Sequence, residues 1–408
     1  MRDNTQVLKT FKVKKIFSLD FICFACISLV FWIVMLYTVG HSINHHSHYD
    51  EHTLQALAWK DGRNYLHQNL SYLELAQYKD KVYISFPPTS TLLEFPFTFF
   101  FNRQTPNTIV LLITTWFAML FSFFILLKLT GNRILSYLVS FSFFWGSTIL
   151  YLSLEGAVWH QGQLFGLFFA VTAFLILLYS KNPFTLVFGG FCLGLAVGCR
   201  PFYLIYTPLF IYYGYKRFPD FRTIIFILIG GSFPCIFYGI YNFFRFDSFF
   251  EFGHKYLSWS KTLQHGVFSF AYFPNNIFHA FIQPPIWDNL KNILSFHGAG
   301  TGLWFSSPII LLGFVFFFKY FFSKEKDITL PEIIFTGGTI LVIWFLLLLH
   351  ESNGWFQFGY RFSVDLIPIL LFLFGRTFRK VHGFIIPISQ FSIIVNIYGA
   401  LWFYILRL

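Results

Sequence analysis

FSLDFICFACISLVFWIVMLYTVG, residues Phe17–Gly40, is an apolar run whose one charge, Asp20, sits near its start. A helix rises 1.5 Å per residue, so about 20 residues cross a hydrocarbon core of about 30 Å. This run is long enough to do so. Arg2, Lys9, Lys12, Lys14 and Lys15 precede it, and a basic flank of this kind is retained on the cytoplasmic side. The run is too long for a signal-peptide core and no small-residue cleavage site follows it, so it reads as a retained first span.

Similar runs recur at Thr105–Leu129, Ile134–Leu152, Thr223–Phe243 and Ile333–Leu349. The 408 residues are 56% hydrophobic and only 12% charged, with a mean hydropathy of +0.61. Soluble domains carry roughly twice that charge. The runs do not alternate as barrel strands must. The expected fold is an all-α, polytopic transmembrane bundle of about eleven spans, forming one membrane-embedded unit over 1–408.

The 62 Phe residues are spread through nearly every span and read as lipid-compatible filler. The five cysteines lie within or at the ends of apolar runs and read as small buried hydrophobes, without a disulfide framework. The net charge of +11 does not point to nucleic acid, because its Lys and Arg collect in short loops. The clusters are Lys128 with Arg133, Lys181, Lys216–Arg217–Arg222, Lys319–Lys324–Lys326 and Arg376–Arg379–Lys380. If all are cytoplasmic, the chain must cross twice between Lys181 and Lys216. Arg200–Pro201 lies midway, and proline breaks a helix there. Two short helices with Arg200 at their outer turn are therefore expected, in place of one kinked helix.

Most of the polar chain then lies in two outer loops, 41–103 and 245–302, each expected to carry short interfacial helices. Leu54, Leu57 and Ala58 have helical spacing, which predicts a short helix over Asp50–Trp59. Ser71 and Glu74 fit a capping box, but Leu75–Ile84 around Lys79–Asp80 fits a hairpin equally well. Asp50–Glu51 follows the first span closely. A carboxylate partly shielded from water there suits a general base, although two solvated loop acids, one capping the helix, would look the same. His41, His45, His46, His48 and His52 crowd the same stretch. A metal site is conceivable, but an interfacial histidine cluster is the simpler reading, and no metal ligands are assigned.

The second loop interleaves Arg245, His254 and Lys255 with aromatic residues, which suits a phosphate and a sugar ring as well as an ordinary interfacial belt. Arg361 follows the aromatic stretch that includes Trp355 and stands at the start of a span. An arginine there needs a partner, and Asp365 or a bound phosphate would serve.

These residues together resemble the glycosyltransferase-C superfamily, nearest the protein O-mannosyltransferases, the aminoarabinose transferases and their bacterial relatives. The resemblance rests on DEHTLQALAWKDGRNYL (50–66), YISFPPTSTLLEFPF (83–97), Gly194-x-x-x-Gly198-x-Arg200–Pro201, the YNFFRF-to-EFG loop and QFGYRFSVDLIP (357–368). It covers nearly the whole chain, in short motifs. It implies an inverting transferase in a bacterial inner membrane, working on the extracytoplasmic side with a polyprenyl-phosphate sugar as donor and no other cofactor. The acceptor would be a glycan, a lipid or a protein. Asp50, with Glu51 beside it, takes the catalytic role. Arg200, Arg245, Arg361 and Lys255 are candidates for the donor phosphate and lipid, and Tyr83, Pro87, Pro88, His254 and Trp355 for substrate. Phe86 stands where eukaryotic mannosyltransferases carry a histidine before the double proline, and no C-terminal soluble domain follows. Both departures bear on the acceptor. A lipid flippase would instead show internal repeats and acids within the spans. A membrane acyltransferase would use a histidine near lipid, and His160 and His350 stand at span ends.

Overall fold

The computed structural model describes residues 18–322, 329–354 and 356–406. The N-terminal basic cluster, Lys324, Lys326 and Trp355 lie outside the described residues. The chain folds as a helical bundle whose long connections carry two small hairpins.

The first half runs through α1 (Leu19–Thr38), α2 (Glu51–Lys60), the β1–β2 hairpin (Leu75–Tyr78, Lys81–Ile84), α3 (Thr89–Phe101), α4 (Asn107–Thr130), α5 (Arg133–Trp145), α6 (Ile149–Leu152), α7 (Val158–Tyr179) and α8 (Leu186–Val197). Then follow α9 (Thr207–Arg217), α10 (Phe221–Phe246), α11 (Phe273–Ile277), the β3–β4 hairpin (Ile286–Asp288, Ile293–Ser295), α12 (Leu303–Ser306), α13 (Pro308–Phe321), α14 (Leu330–Leu349), α15 (Ile367–Thr377) and α16 (Ile385–Leu401). Six helices, those of α1, α4, α7, α10, α14 and α16, are long and apolar enough to cross a membrane. Three more apolar helices are shorter. The 3₁₀ turns Pro201–Tyr206 and Arg361–Leu366 lengthen α9 and α15.

α10 shows why this packing belongs in lipid. Phe221, Ile225, Leu228, Phe233, Ile236, Ile240 and Phe244 recur every three to five residues on its exposed side. Thr223, Ile227, Gly230, Pro234, Tyr238, Asn242 and Arg245 form the buried side. An apolar stripe on the outside of a helix is stable against hydrocarbon and costly against water.

The Arg200 turn joins two helices, as parity demanded. α8 and α9 run antiparallel: a Cβ on Gly189 would meet the Phe210 ring, and one on Gly214 would touch Leu186. α8 and α10 run side by side in the same direction, through glycines. A Cβ on Gly190 would stand 2.2 Å from the Ile227 carbonyl oxygen, and one on Gly230 1.9 Å from that of Val187. Small residues four apart let helix backbones meet closely, which is the usual source of attraction between helices in lipid. Gly230→Ala would gain about 1 kcal/mol in helix propensity. The backbone clash outweighs it, so a net destabilisation of about 1–3 kcal/mol is expected, read as a lower thermal midpoint in detergent.

The basic short connections gather at one end of the bundle. Arg217 donates to the Ser180 carbonyl at 3.1 Å, Asn132 to that of Arg379 at 3.4 Å, and Lys216 and Arg376 both pair with buried Glu332. The two long loops meet at the other end. There Gln55 and Trp59 of α2 donate to Tyr241 near the end of α10, and Asn276 donates to the carbonyls of Leu348 and His350.

Candidate active site

The site is built on the first long loop. Lys79 and Asp80 both take positive φ, 47° and 59°. Such a two-residue turn matches the twist of a tight hairpin, so the hairpin forms and the capping box does not. The hairpin and α3 enclose α2. Glu94 of α3 anchors that helix from below: Thr53 donates to its carboxylate at 2.7 Å and Asn107 of α4 at 2.6 Å. Asn107 also accepts from the Ser47 amide at 3.0 Å, so one buried polar network fixes the start of α2 to two other helices.

Asp50 is the N-cap residue of α2 and Glu51 its first helical residue. Both are buried, but they face different partners, as neighbours about 100° apart on a helix must. Asp50 pairs with Arg103 at 2.7 Å and with His46 at 3.2 Å. The other ring nitrogen of His46 lies 2.9 Å from the Thr105 carbonyl. The hydrogen bond to Asp50 raises the His46 pKa, while burial and the Arg103 charge oppose it. Glu51 instead accepts the Glu74 backbone N–H at 3.4 Å.

Burial pushes the Glu51 carboxyl up to about 8 from 4.5, and the neighbouring Glu74 carboxylate adds to the shift. Glu51 is therefore a protonated acid at neutral pH. With the folded pKa raised, its contribution to stability is fully present below pH 4.5 and is lost as pH rises through about 8. Glu51→Gln is expected to flatten that decline, measured as thermal midpoint against pH. An unchanged slope would place the titrating group elsewhere.

Glu74 links Glu51 to a cationic cluster. Burial raises its pKa, while a hydrogen bond from Trp159 and the charge of Arg361 act in the opposite direction. Arg361 stands beside Arg200, and each side chain lies in van der Waals reach of Phe362, with guanidinium-to-ring distances of 5.1 Å and 5.2 Å. The Arg200 guanidinium is paired with Asp365 at 2.8 Å. Arg361 is buried and has no ion pair within 4.0 Å among the described residues. Desolvation and the Arg200 charge lower its pKa to about 10. Two adjacent guanidinium groups with one close carboxylate leave a surplus positive charge, which is the electrostatic requirement for an anion site.

The remaining candidates divide. His254 and His350 both feel the Arg200 charge, and burial lowers the pKa of each, so they border the cluster as neutral rings. Pro87 and Pro88 are buried ahead of α3. Tyr83 packs on Phe246. Arg245 donates to the Ile84 carbonyl and to Asn242, both at 2.7 Å, and lies over the Tyr241 ring. Its visible work is to tie β2 to α10. Lys255 is exposed and pairs with Glu251 at 3.2 Å. Sequence reasoning missed Arg103, Glu74 and Trp159 as members of the site. Arg103 is 53 positions from Asp50 and carries no local signal, whereas Glu74 could have been noticed as an acid just ahead of a hairpin. Among the described residues no group of three or more His, Cys, Asp or Glu is placed to hold a metal.

Fold and site together define a helical membrane protein that sets carboxyl groups beside a cationic cluster, under loops at one end of the bundle. The fold has a counterpart among solved structures. The chain is similar to ArnT from Cupriavidus metallidurans bound to undecaprenyl phosphate, at a TM-score of 0.53 and 11% identity, over 88% of this chain and 60% of that one. Against ArnT in the apo state the TM-score is 0.49 at 12% identity, with the same coverage. The protein thus spans about three fifths of the ArnT chain. No family model matches the sequence, and no curated protein does. The likeness shows a fold of the kind seen in ArnT.

Proposed function

We propose that the protein is an inverting glycosyltransferase that moves a sugar from a polyprenyl phosphate to an acceptor hydroxyl at the long-loop face. The observation that carries this reading is Arg361, a buried guanidinium without an ion pair among the described residues, beside Arg200 and near Glu74 of the first loop. An arginine in this setting is stabilised by a phosphate. A groove of about 600 Å³, lined by Leu204, Pro208, Ile211, Tyr212, Tyr215 and Phe335, runs along α9. Its lining begins at Leu204, four residues after Arg200 in the chain, which makes it a candidate seat for the lipid chain of the donor.

In this reaction Asp50 accepts the proton of the acceptor hydroxyl as the oxygen attacks the anomeric carbon. The bond from that carbon to the phosphate oxygen breaks on the opposite face, which inverts the configuration. Arg200 and Arg361 stabilise the charge growing on the leaving phosphate. Arg103, whose side chain is 41% exposed, can swing aside as the acceptor arrives, and His46 keeps the carboxylate oriented. Glu51, protonated at neutral pH, cannot accept the proton and serves as a donor or spacer within the site. No nucleotide chemistry is needed, because the activated donor supplies the driving force. The expected location is a bacterial inner membrane, with the basic end cytoplasmic and the site outside.

The test is transfer of label from a panel of polyprenyl-phosphate sugars by the purified full-length protein. Transfer with inversion from at least one donor supports the reading. Lipid-phosphate binding without any turnover across the panel would favour a flippase.

A further inference from the structure

A second concavity lies apart from the charge cluster. It has a volume of about 430 Å³ and is lined by Trp59, Gly62, Arg63, Asn64, Tyr65, Tyr241 and Phe244. Ligand pockets of this kind measure about 300–1,000 Å³. It sits at the C-terminal end of α2, eight residues beyond Glu51, which is about 12 Å along the helix. Buried Gln55, bonded to Tyr241 at 2.9 Å, stands between the two places.

The walls are cross-bonded. The Trp59 indole donates to the Tyr241 hydroxyl at 3.0 Å, and the two rings stand edge to face at 5.7 Å. The Tyr241 oxygen thus receives two donors, from Gln55 and Trp59, and its own proton remains to be donated. Arg63 uses its terminal nitrogens on the Tyr65 carbonyl and on Asp61, while no bond is formed by its Nε among the described residues. Asn64 spends an amide hydrogen weakly, at 3.4 Å on the Phe244 carbonyl, leaving its oxygen as an acceptor.

Charge decides what this lining suits. The 2.6 Å pair with Asp61 neutralises Arg63, so the lining residues offer mixed donors and acceptors without a net charge of their own, while Lys81 stands over the Tyr65 ring at 4.6 Å and Arg245, bonded to the Ile84 carbonyl and Asn242, over the Tyr241 ring at 4.3 Å. A phosphate needs surplus positive charge in the lining itself, as at Arg361. A sugar ring fits: its C–H faces pack on aromatic rings and its hydroxyls both give and accept hydrogen bonds. Phe244, 71% exposed, belongs to the lipid-facing stripe of α10 and forms one edge of the pocket. That puts the opening at the membrane boundary.

We propose that this pocket is a binding subsite for an uncharged sugar ring, presented either by a glycolipid in the same membrane or by a soluble glycan. Because recognition is separate from transfer, it can be read without turnover. The experiment is equilibrium binding of labelled glucosyl-diacylglycerol to the full chain in nanodiscs, with phosphatidylglycerol and free maltotriose as competitors. The expected result is saturable glycolipid binding that phosphatidylglycerol does not displace. Displacement by maltotriose would assign the site to free glycans as well, and its failure would assign it to lipid-borne ones. Either supports a sugar subsite. Trp59→Ala should weaken binding at least tenfold. Asn64→Ala, at the rim and outside the α2 packing, should weaken it severalfold with an unchanged thermal midpoint. Absence of saturable binding, equal displacement by phosphatidylglycerol, or full affinity in a folded Asn64→Ala protein would each overturn the proposal. A protein that binds glycolipid but transfers nothing would remove the proposed reaction and leave the subsite standing.

Discussion

Asp50→Asn is expected to stop transfer while leaving the protein folded and able to bind a lipid phosphate. The amide keeps the shape of the carboxylate but cannot take the hydroxyl proton, and losing a general base costs about 10²–10⁴ in rate. Folding should survive for a geometric reason. The substitution leaves Arg103 without its partner, but that side chain is 41% exposed and returns to water. Partly exposed ion pairs contribute only about 0–1 kcal/mol. His46 loses the contact that raises its pKa, so its ring should titrate at lower pH in the variant, an NMR signature that reports the intended change directly. Glu51→Gln should cost much less in rate, because Glu51 is already protonated near neutrality. Wild-type turnover in Asp50→Asn would end the assignment, and an inactive Glu51→Gln beside it would shift the role by one residue.

Arg361→Gln is the second substitution with a large expected effect. If the two arginines hold the leaving phosphate, removing Arg361 should lower kcat by about 10²–10³, the usual cost of losing one donor to a developing anion. Binding of the lipid phosphate should weaken with it. Arg361→Lys should recover part of the binding and less of the rate, since an ammonium supplies charge without the planar fork. Arg200 provides the contrast. Its guanidinium already holds buried Asp365, so Arg200→Gln leaves a buried carboxylate unpaired and should lower the thermal midpoint as well as activity. Measured together, the pair separates a phosphate ligand from a structural cation. Equal stability losses and unchanged lipid-phosphate binding in both variants would leave the phosphate site without support.

The helical membrane bundle was legible in the chain because lipid imposes a one-dimensional rule. A span must be long, apolar and free of isolated charge, and Phe17–Gly40 or Thr223–Phe243 satisfies it residue by residue. The break at Arg200–Pro201 was legible for a similarly local reason, since proline and charge parity both act through near neighbours in sequence. The gathering of the basic connections at one end followed from the same parity. Asp50–Glu51 could be singled out as a pair, and the helix they start could be read from Leu54, Leu57 and Ala58.

What the chain could not show was which partner each acid meets. Asp50 acquires Arg103 only because the turn that follows α3 packs against α2, and Glu51 meets the Glu74 amide only because the Lys79–Asp80 turn folds the hairpin back. Arg245 read as a phosphate ligand as readily as Arg361. The tertiary structure turned one toward the Ile84 carbonyl and Asn242 and left the other with surplus charge beside Arg200. Sequence by itself determined the solvent of this protein, because burial in lipid is a property of composition along a segment. Only the tertiary structure decided its electrostatics, because a charge's effect depends on distances of a few ångströms between residues far apart in the chain.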